Sequence, residues 1–173
     1  MIERTHLDEI VRYPDLALYE LSKNPVFVSL LTDIHDADIS DPVVMDKWNK
    51  CTNNFISVDD IITETMSFCC VDTRFILDGT QIIDAYIDLF IGVHKDLMSL
   101  RGTEFTGLSG NRRDNLIREA EYSLHNSREF GVGKLRAVGT VEPVKTANST
   151  HFSCKVIHFE VSTFSESRSL SRG

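Results

Sequence analysis

Ile82-Ile83-Asp84-Ala85-Tyr86-Ile87-Asp88-Leu89-Phe90-Ile91-Gly92-Val93-His94-Lys95 is the stretch whose reading decides the fold. Its odd positions Ile83, Ala85, Ile87, Leu89, Ile91 and Val93 form one apolar row, and the even positions carry Asp84, Tyr86, Asp88 and Phe90. Side chains of a strand alternate between faces, so a period of two over this length predicts a long, half-buried β-strand. Such a strand needs other strands beside it and a cover over its apolar row.

Immediately upstream, residues Ile61–Leu77 are rich in β-branched and aromatic side chains and predict a second strand. Asp78-Gly79 between the two is a hairpin turn signal, so the pair is expected to be antiparallel. Downstream, residues 96–112 carry Gly102, Gly107 and Gly110 and read as a loop. Arg113–Ser127 predicts a helix, with Leu116, Ile117, Ala120 and Leu124 on one stripe, Asn111 as cap and Asp114 suited to the positive end of the dipole. Phe130-Gly131-Val132-Gly133 predicts a glycine stop for that helix. Lys134–Lys145 predicts a strand with Leu135, Ala137, Gly139 and Val141 on one face, and Pro143 places it at an edge or near its end. Phe152, Cys154 and Val156 then alternate, and Ile157, Phe159 and Val161 continue on the opposite parity. Either a β-bulge or a strand apolar on both faces explains that flip.

Toward the N-terminus, Pro14 opens a helix over Asp15–Ser22, which Asn24-Pro25 ends. Val26–Leu31 cannot be typed by periodicity and could continue as a second helix through Ile34. Residues 32–60 are polar and read as a loop or interaction arm, with one short helix from Asp41-Pro42 to Trp48. The sequence therefore predicts one α+β domain over residues 1–173: a mostly antiparallel β-sheet with helices packed on one face. Its helical, acidic N-terminal part is 1–60, its sheet core 61–164 with helix 113–127, and its flexible tail 165–173.

A net charge of −8 argues against a free-standing nucleic-acid binder. The charge is uneven: residues 1–100 hold 7 Lys and Arg against 18 Asp and Glu, and residues 101–173 hold 11 against 8. An acidic and a basic surface on one molecule suit head-to-tail association. The N-terminus has no apolar core of a signal peptide, and no apolar run is long enough to span a bilayer. Cys51, Cys69, Cys70 and Cys154 contain no C-x-x-C and read as reduced packing residues. A bridge from Cys69 or Cys70 to Cys154 across neighbouring strands is the alternative.

Catalytic patterns are weak. Asp33, His35, Asp36, Asp38 and Asp41 are hard-metal ligand types without the glycine and terminal glutamate of an EF-hand loop, and they read as a solvated acidic loop. His35-Asp36 alone matches the two-letter core of metal-dependent phosphohydrolases. His125-Asn126-Ser127 and His151-Phe152-Ser153 match the His-x-Ser pairs of two-histidine phosphoesterases, but the first sits at a helix end. Gly131-Val132-Gly133-Lys134 lacks the spacing of a phosphate loop. No catalytic residue, metal site or cofactor is expected, and Asp84 and Asp88 read as a solvent- or subunit-facing row.

The order of elements, with Arg112-Arg113-Asp114-Asn115-Leu116-Ile117, Phe130-Gly131-Val132-Gly133-Lys134-Leu135 and His158-Phe159-Glu160-Val161-Ser162-Thr163-Phe164, resembles tailed-bacteriophage tail terminator and tail-completion (neck) proteins. The resemblance covers residues 65–165 and lies in layout rather than in an invariant motif. It implies a non-enzymatic structural protein of the virion, assembled in the host cytoplasm. Its form would be a homo-oligomeric, hexameric ring at the head–tail junction or the end of the tail tube. Tube, sheath or neck proteins would be its partners, with no membrane and at most transient contact with DNA. Asp84, Asp88, Trp48, Arg112, Arg113 and Arg118 are then the candidate subunit-interface residues. Another baseplate or tail component, a small phosphoesterase or metal-dependent hydrolase, and a viral regulatory binding protein are the alternatives.

Overall fold

The computed structural model describes residues 10–55, 64–78, 81–101, 104, 105, 107–130, 134–144 and 151–161, with 77, 78, 81–83 and 140–144 described for their backbone alone. The alternating stretch is β3, Gln81–His94, and it pairs antiparallel with β2, Ser67–Asp78. The hairpin register runs from Ser67 opposite Val93 to Asp78 opposite Gln81, with one shift between Ile76 and Leu77. β2 begins later than the sequence predicts. Its register with β3 ends at Ser67 opposite Val93, and the His94 amide donates once more, to the Met66 carbonyl, before the chain turns into a 3-10 helix, Lys95–Leu97. Residues 61–63 of the expected strand, and Gly79 of its turn, lie outside the described residues.

The other side of β3 carries β5, Phe152–Val161, and β5 carries β4, Leu135–Val144. β1, Thr52–Asn53, adds two residues parallel to β2, giving the order β1-β2-β3-β5-β4. The sequence reads Asn49 to Asn54 as a loop and so misses β1. Pairing of β3 with β5 runs unbroken from Tyr86 opposite Glu160 to His94 opposite Phe152. The parity flip at Val156 and Ile157 is therefore not a bulge: β5 is apolar on one face over its first half and on the other face over its second. The bulge is in β4, between Val138 and Glu142, where Gly139 has φ +74°.

Among the described residues, four helices lie over one face of the sheet: α1, Tyr13–Ser22; α2, Pro25–Thr32; α3, Pro42–Cys51; and α4, Arg112–Leu124. Capping explains most of their ends. The Asn24 side chain accepts from the Val26 and Phe27 amides, so Asn24-Pro25 stops α1 and starts α2 together. Asp41 accepts from the Val43 amide and Asn111 from the Asp114 amide. Val26–Leu31 is thus helical, and Asp33 at φ +57° closes it. α4 ends three residues before the sequence predicts. Asn126 takes the left-handed conformation at φ +66° and donates its amide to the Leu135 carbonyl, the job expected of a glycine. Gly131 and Gly133 lie outside the described residues.

The core joins Ala85, Ile87, Leu89, Ile91 and Val93 of β3 to Leu21, Phe27, Leu31, Leu116, Ala120 and Leu124 of the helices. Residues 32–55 are part of this packing rather than an arm: Ala37, Val44, Trp48 and Cys51 are buried in the same cluster, and Ile39 packs against it. Trp48 meets Phe27 edge-on, ring centroids 6.2 Å apart.

Candidate functional site

The face of the sheet that the helices leave uncovered holds the densest group of functional side chains. The registers place Phe68, Cys70, Asp72, Arg74 and Ile76 of β2 on this face, beside Gly92, Phe90, Asp88, Tyr86 and Asp84 of β3. Phe152, Cys154, Val156, His158 and Glu160 of β5 complete it, with Arg136 and Val138 of β4. One end is apolar: Phe68, Cys70, Phe90, Phe152 and Cys154 form a second buried cluster. The Phe68 ring lies directly over Gly92, where an added Cβ would come within 2.2 Å of it. Phe68 also packs on Phe90 and Phe152, at centroid distances of 5.8 and 5.5 Å.

The other end is a belt of charge centred on Asp88. Arg74 grips both carboxylate oxygens, its Nε on Oδ2 and its Nη2 on Oδ1 at 3.0 Å. His158 Nδ1 lies 2.6 Å from Oδ1, and the Tyr86 ring packs under the guanidinium at 5.2 Å. Burial alone would raise the Asp88 carboxyl, but the hydrogen bonds from Arg74 and His158 prevail and hold it below the ordinary carboxylate range. The belt therefore presents a neutralised core with outlying charges at Asp72, Asp84, Glu160 and Arg136. The sequence singles out Asp84 and Asp88 but misses Arg74 and His158. The signal for them was available only through the strand register, which sets His158 opposite Asp88 across β3 and β5.

Of the six residues expected at an interface, four are engaged inside the chain: Trp48, Asp88, Arg112 and Arg113. Trp48 is core, and Asp88 is closed off by Arg74 and His158. Arg112 is only 1% exposed. Its guanidinium donates to the Leu97 carbonyl at 2.9 Å, the Leu30 carbonyl at 2.9 Å and Asp33 at 2.6 Å, so it locks α4 to the end of α2 and to the loop after β3. Arg113 is mostly covered and reaches Ser153 at 2.5 Å and Asp114. Asp84 and Arg118 stay accessible, and Arg118 pairs with Glu119 at 3.0 Å.

The candidate catalytic groups disperse. Asp33 is turned to Arg112, Asp38 accepts from Ser40, and Asp41 caps α3, so the acidic run does not converge on one point. His35 and Asp36 meet each other at 3.1 Å beside a cleft of about 280 Å³ walled by Pro25, Phe105 and Leu108. His125 accepts from the Ala137 amide at 3.2 Å, whereas His151 stacks on His94 at the start of β5. Ala137 pairs with Phe159, eight residues along β5 from His151, so the two imidazoles sit toward opposite ends of that strand. Among the described residues, no group of three His, Cys, Asp or Glu is arranged to hold a metal ion.

The alternative cysteine bridge fails on topology. Cys70 on β2 and Cys154 on β5 have β3 between them, about 9.6 Å across two strand spacings. A disulfide tolerates no more than about 7 Å between Cα atoms. Cys69 points to the helical face. Burial pushes the Cys51 thiol up to about 11 and the Cys69 thiol well above its usual value, so neither is poised to react. No described helix is long and apolar enough to cross a membrane.

No curated protein and no solved structure matches the chain. A protein-family model does. It carries the description YomW, a name resembling that of a Bacillus phage-region gene product, and it spans residues 24–161. That span takes in α2, α3, α4 and the whole sheet, and on this match the chain belongs to the YomW family.

Proposed function

We propose that this protein is a non-enzymatic structural subunit of a phage particle, acting through ordered contacts with copies of itself and with neighbouring tail or neck proteins. A ring at the head–tail junction or at the end of the tail tube is the form that suits it. The observation that carries this reading is the two-sided sheet. Helices cover one face, while the other sets a belt of charge beside an apolar cluster buried within the chain, and among the described residues the edges of β2 beyond Cys70 and of β4 carry no further strand. Such surfaces suit protein neighbours. The family name supports a phage-related role, and the scattering of His125, His151 and the acidic run lends no support to hydrolysis.

Sedimentation of the purified chain, alone and mixed with purified tail tubes and neck complexes, tests the reading. A closed oligomer or a stable complex with those particles is expected. A chain that stays monomeric at the highest attainable concentration and binds none of them overturns it.

A further inference from the structure

The two edges of the sheet are open at one end and blunted at the other. β1 covers β2 only at Cys69 and Cys70, which leaves Val71–Asp78 without an outer neighbour among the described residues. At the opposite edge, β4 pairs regularly from Leu135 to Val138. Beyond that come the bulge at Gly139 and then Pro143, which has no N–H to offer a neighbour.

The registers put the two open stretches at the same height. Val138 faces His158, His158 faces Asp88, and Asp88 faces Asp72. One step along, Arg136 faces Glu160, Glu160 faces Tyr86, and Tyr86 faces Arg74. Every pairing from β2 through β3 and β5 to β4 is antiparallel, so β4 runs opposite to β2. A neighbour placed by rotation about an axis along the strands keeps that direction. It therefore offers β4 antiparallel to β2 at matching height, and the alternation of the sheet continues without a break.

Charge selects this joint over its symmetric rivals. Asp72 accepts the Thr73 amide at 2.8 Å and faces Asp88, whose partners Arg74 and His158 are already taken. Among the described residues Asp72 has no ion pair. Arg136 is exposed on the same sheet face at the far edge. A two-fold joint of β2 on β2 brings Asp72 toward its own copy, and one of β4 on β4 does the same for Arg136. A β2-to-β4 joint at matching height instead sets Arg136 diagonal to Asp72 and across from Arg74, whose charge Asp88 already neutralises, and it covers Phe75, which is 42% exposed. We infer that a second copy of this chain adds the Leu135–Val138 stretch of its β4 to the open edge of β2 near residues 72–75, joining subunits head to tail. The inference rests on the assembly reading above and names the contact that reading requires.

Two experiments test it. The first measures self-association of Asp72→Arg, Arg136→Asp and the double variant by sedimentation, with circular dichroism confirming the fold. Each single reversal should weaken association by about tenfold or more, and the double should return close to wild type. The second mixes copies carrying only Thr73→Cys with copies carrying only Ala137→Cys, since Thr73 and Ala137 occupy one row through Ile87 and Phe159. Oxidation should cross-link the mixture and neither variant alone. Association unchanged by both reversals, no recovery in the double variant, or cross-linking of either cysteine variant by itself overturns the joint while leaving the assembly reading standing. A wild-type chain that never associates, alone or on phage particles, overturns both.

Discussion

Arg112 has the largest structural leverage of any single side chain described. It is a buried cation whose donors go to one carboxylate and two carbonyls from separate parts of the chain. Replacing it with Met leaves Asp33 without its cation and two carbonyls without a donor. Asp33 is exposed enough to be solvated, so the loss comes mainly from the carbonyls, and about 2–4 kcal/mol in denaturant unfolding is expected. Arg112→Lys should recover only part of that, because an ammonium cannot reproduce a fork reaching three acceptors. Gly92 carries a steric prediction. The ring of Phe68 occupies the space a Cβ needs, so Gly92→Ala should cost about 1–3 kcal/mol, and adding Phe68→Leu should return part of it. Asp114 carries a pH prediction. Burial works against its charged form, but hydrogen bonds from Lys155, Asn111 and Arg113 outweigh it and bring the carboxyl down to about 2. A carboxyl depressed in the folded state stabilises the protein above its ordinary value near 3.8, and that contribution fades as pH falls toward about 2. Asp114→Asn should therefore lower the melting temperature at neutral pH and make progressively less difference through that acid window.

At the scale of elements, legibility in the sequence followed whether one segment carried its own signal. β3 was readable because its parity is unbroken from Ala85 to Val93, and α4 because its apolar stripe and its Asn111 cap are local. The end of α4 was not readable, since glycine at 131 and 133 is the stronger written stop. Asn126 wins because Leu135 returns beside it and accepts its amide. The two-faced character of β5 stayed ambiguous until pairing with β3 showed an unshifted register. The Asp88 cluster was half legible for the same reason. Its carboxylate lies in an obvious strand, while Arg74 and His158 reach it only through hydrogen bonds set by two strand registers. Residues 32–55 read as a loop or an arm with one short helix because their apolar side chains are spaced singly. Ala37, Val44 and Trp48 each drop into the core from a mostly polar context.

For the whole molecule, the family match begins at residue 24, yet the core begins earlier. Ile10, Tyr13, Ala17 and Leu21 are all at most 4% exposed and pack with the sheet. A chain starting at residue 24 should lose the cooperative thermal transition of the full chain, or melt far below it, in calorimetry. Retention of the full transition would show that α1 is dispensable to the core. Head-to-tail growth also suits a molecule whose first hundred residues are acidic and whose remainder is basic.

The strand order has a kinetic consequence. β2 with β3, and β4 with β5, are neighbours in sequence and can zip locally, but the seam between β3 and β5 joins residues 86–94 to 152–160. Closing that seam must overcome the chain entropy of everything between, including α4, which packs across it. Refolding should therefore wait on the seam. Ile87→Val and Phe159→Leu are expected to slow the folding limb of a chevron plot. Arg112→Met, whose bonds form only once the helices have docked, should mainly steepen the loss of the folded state by speeding unfolding.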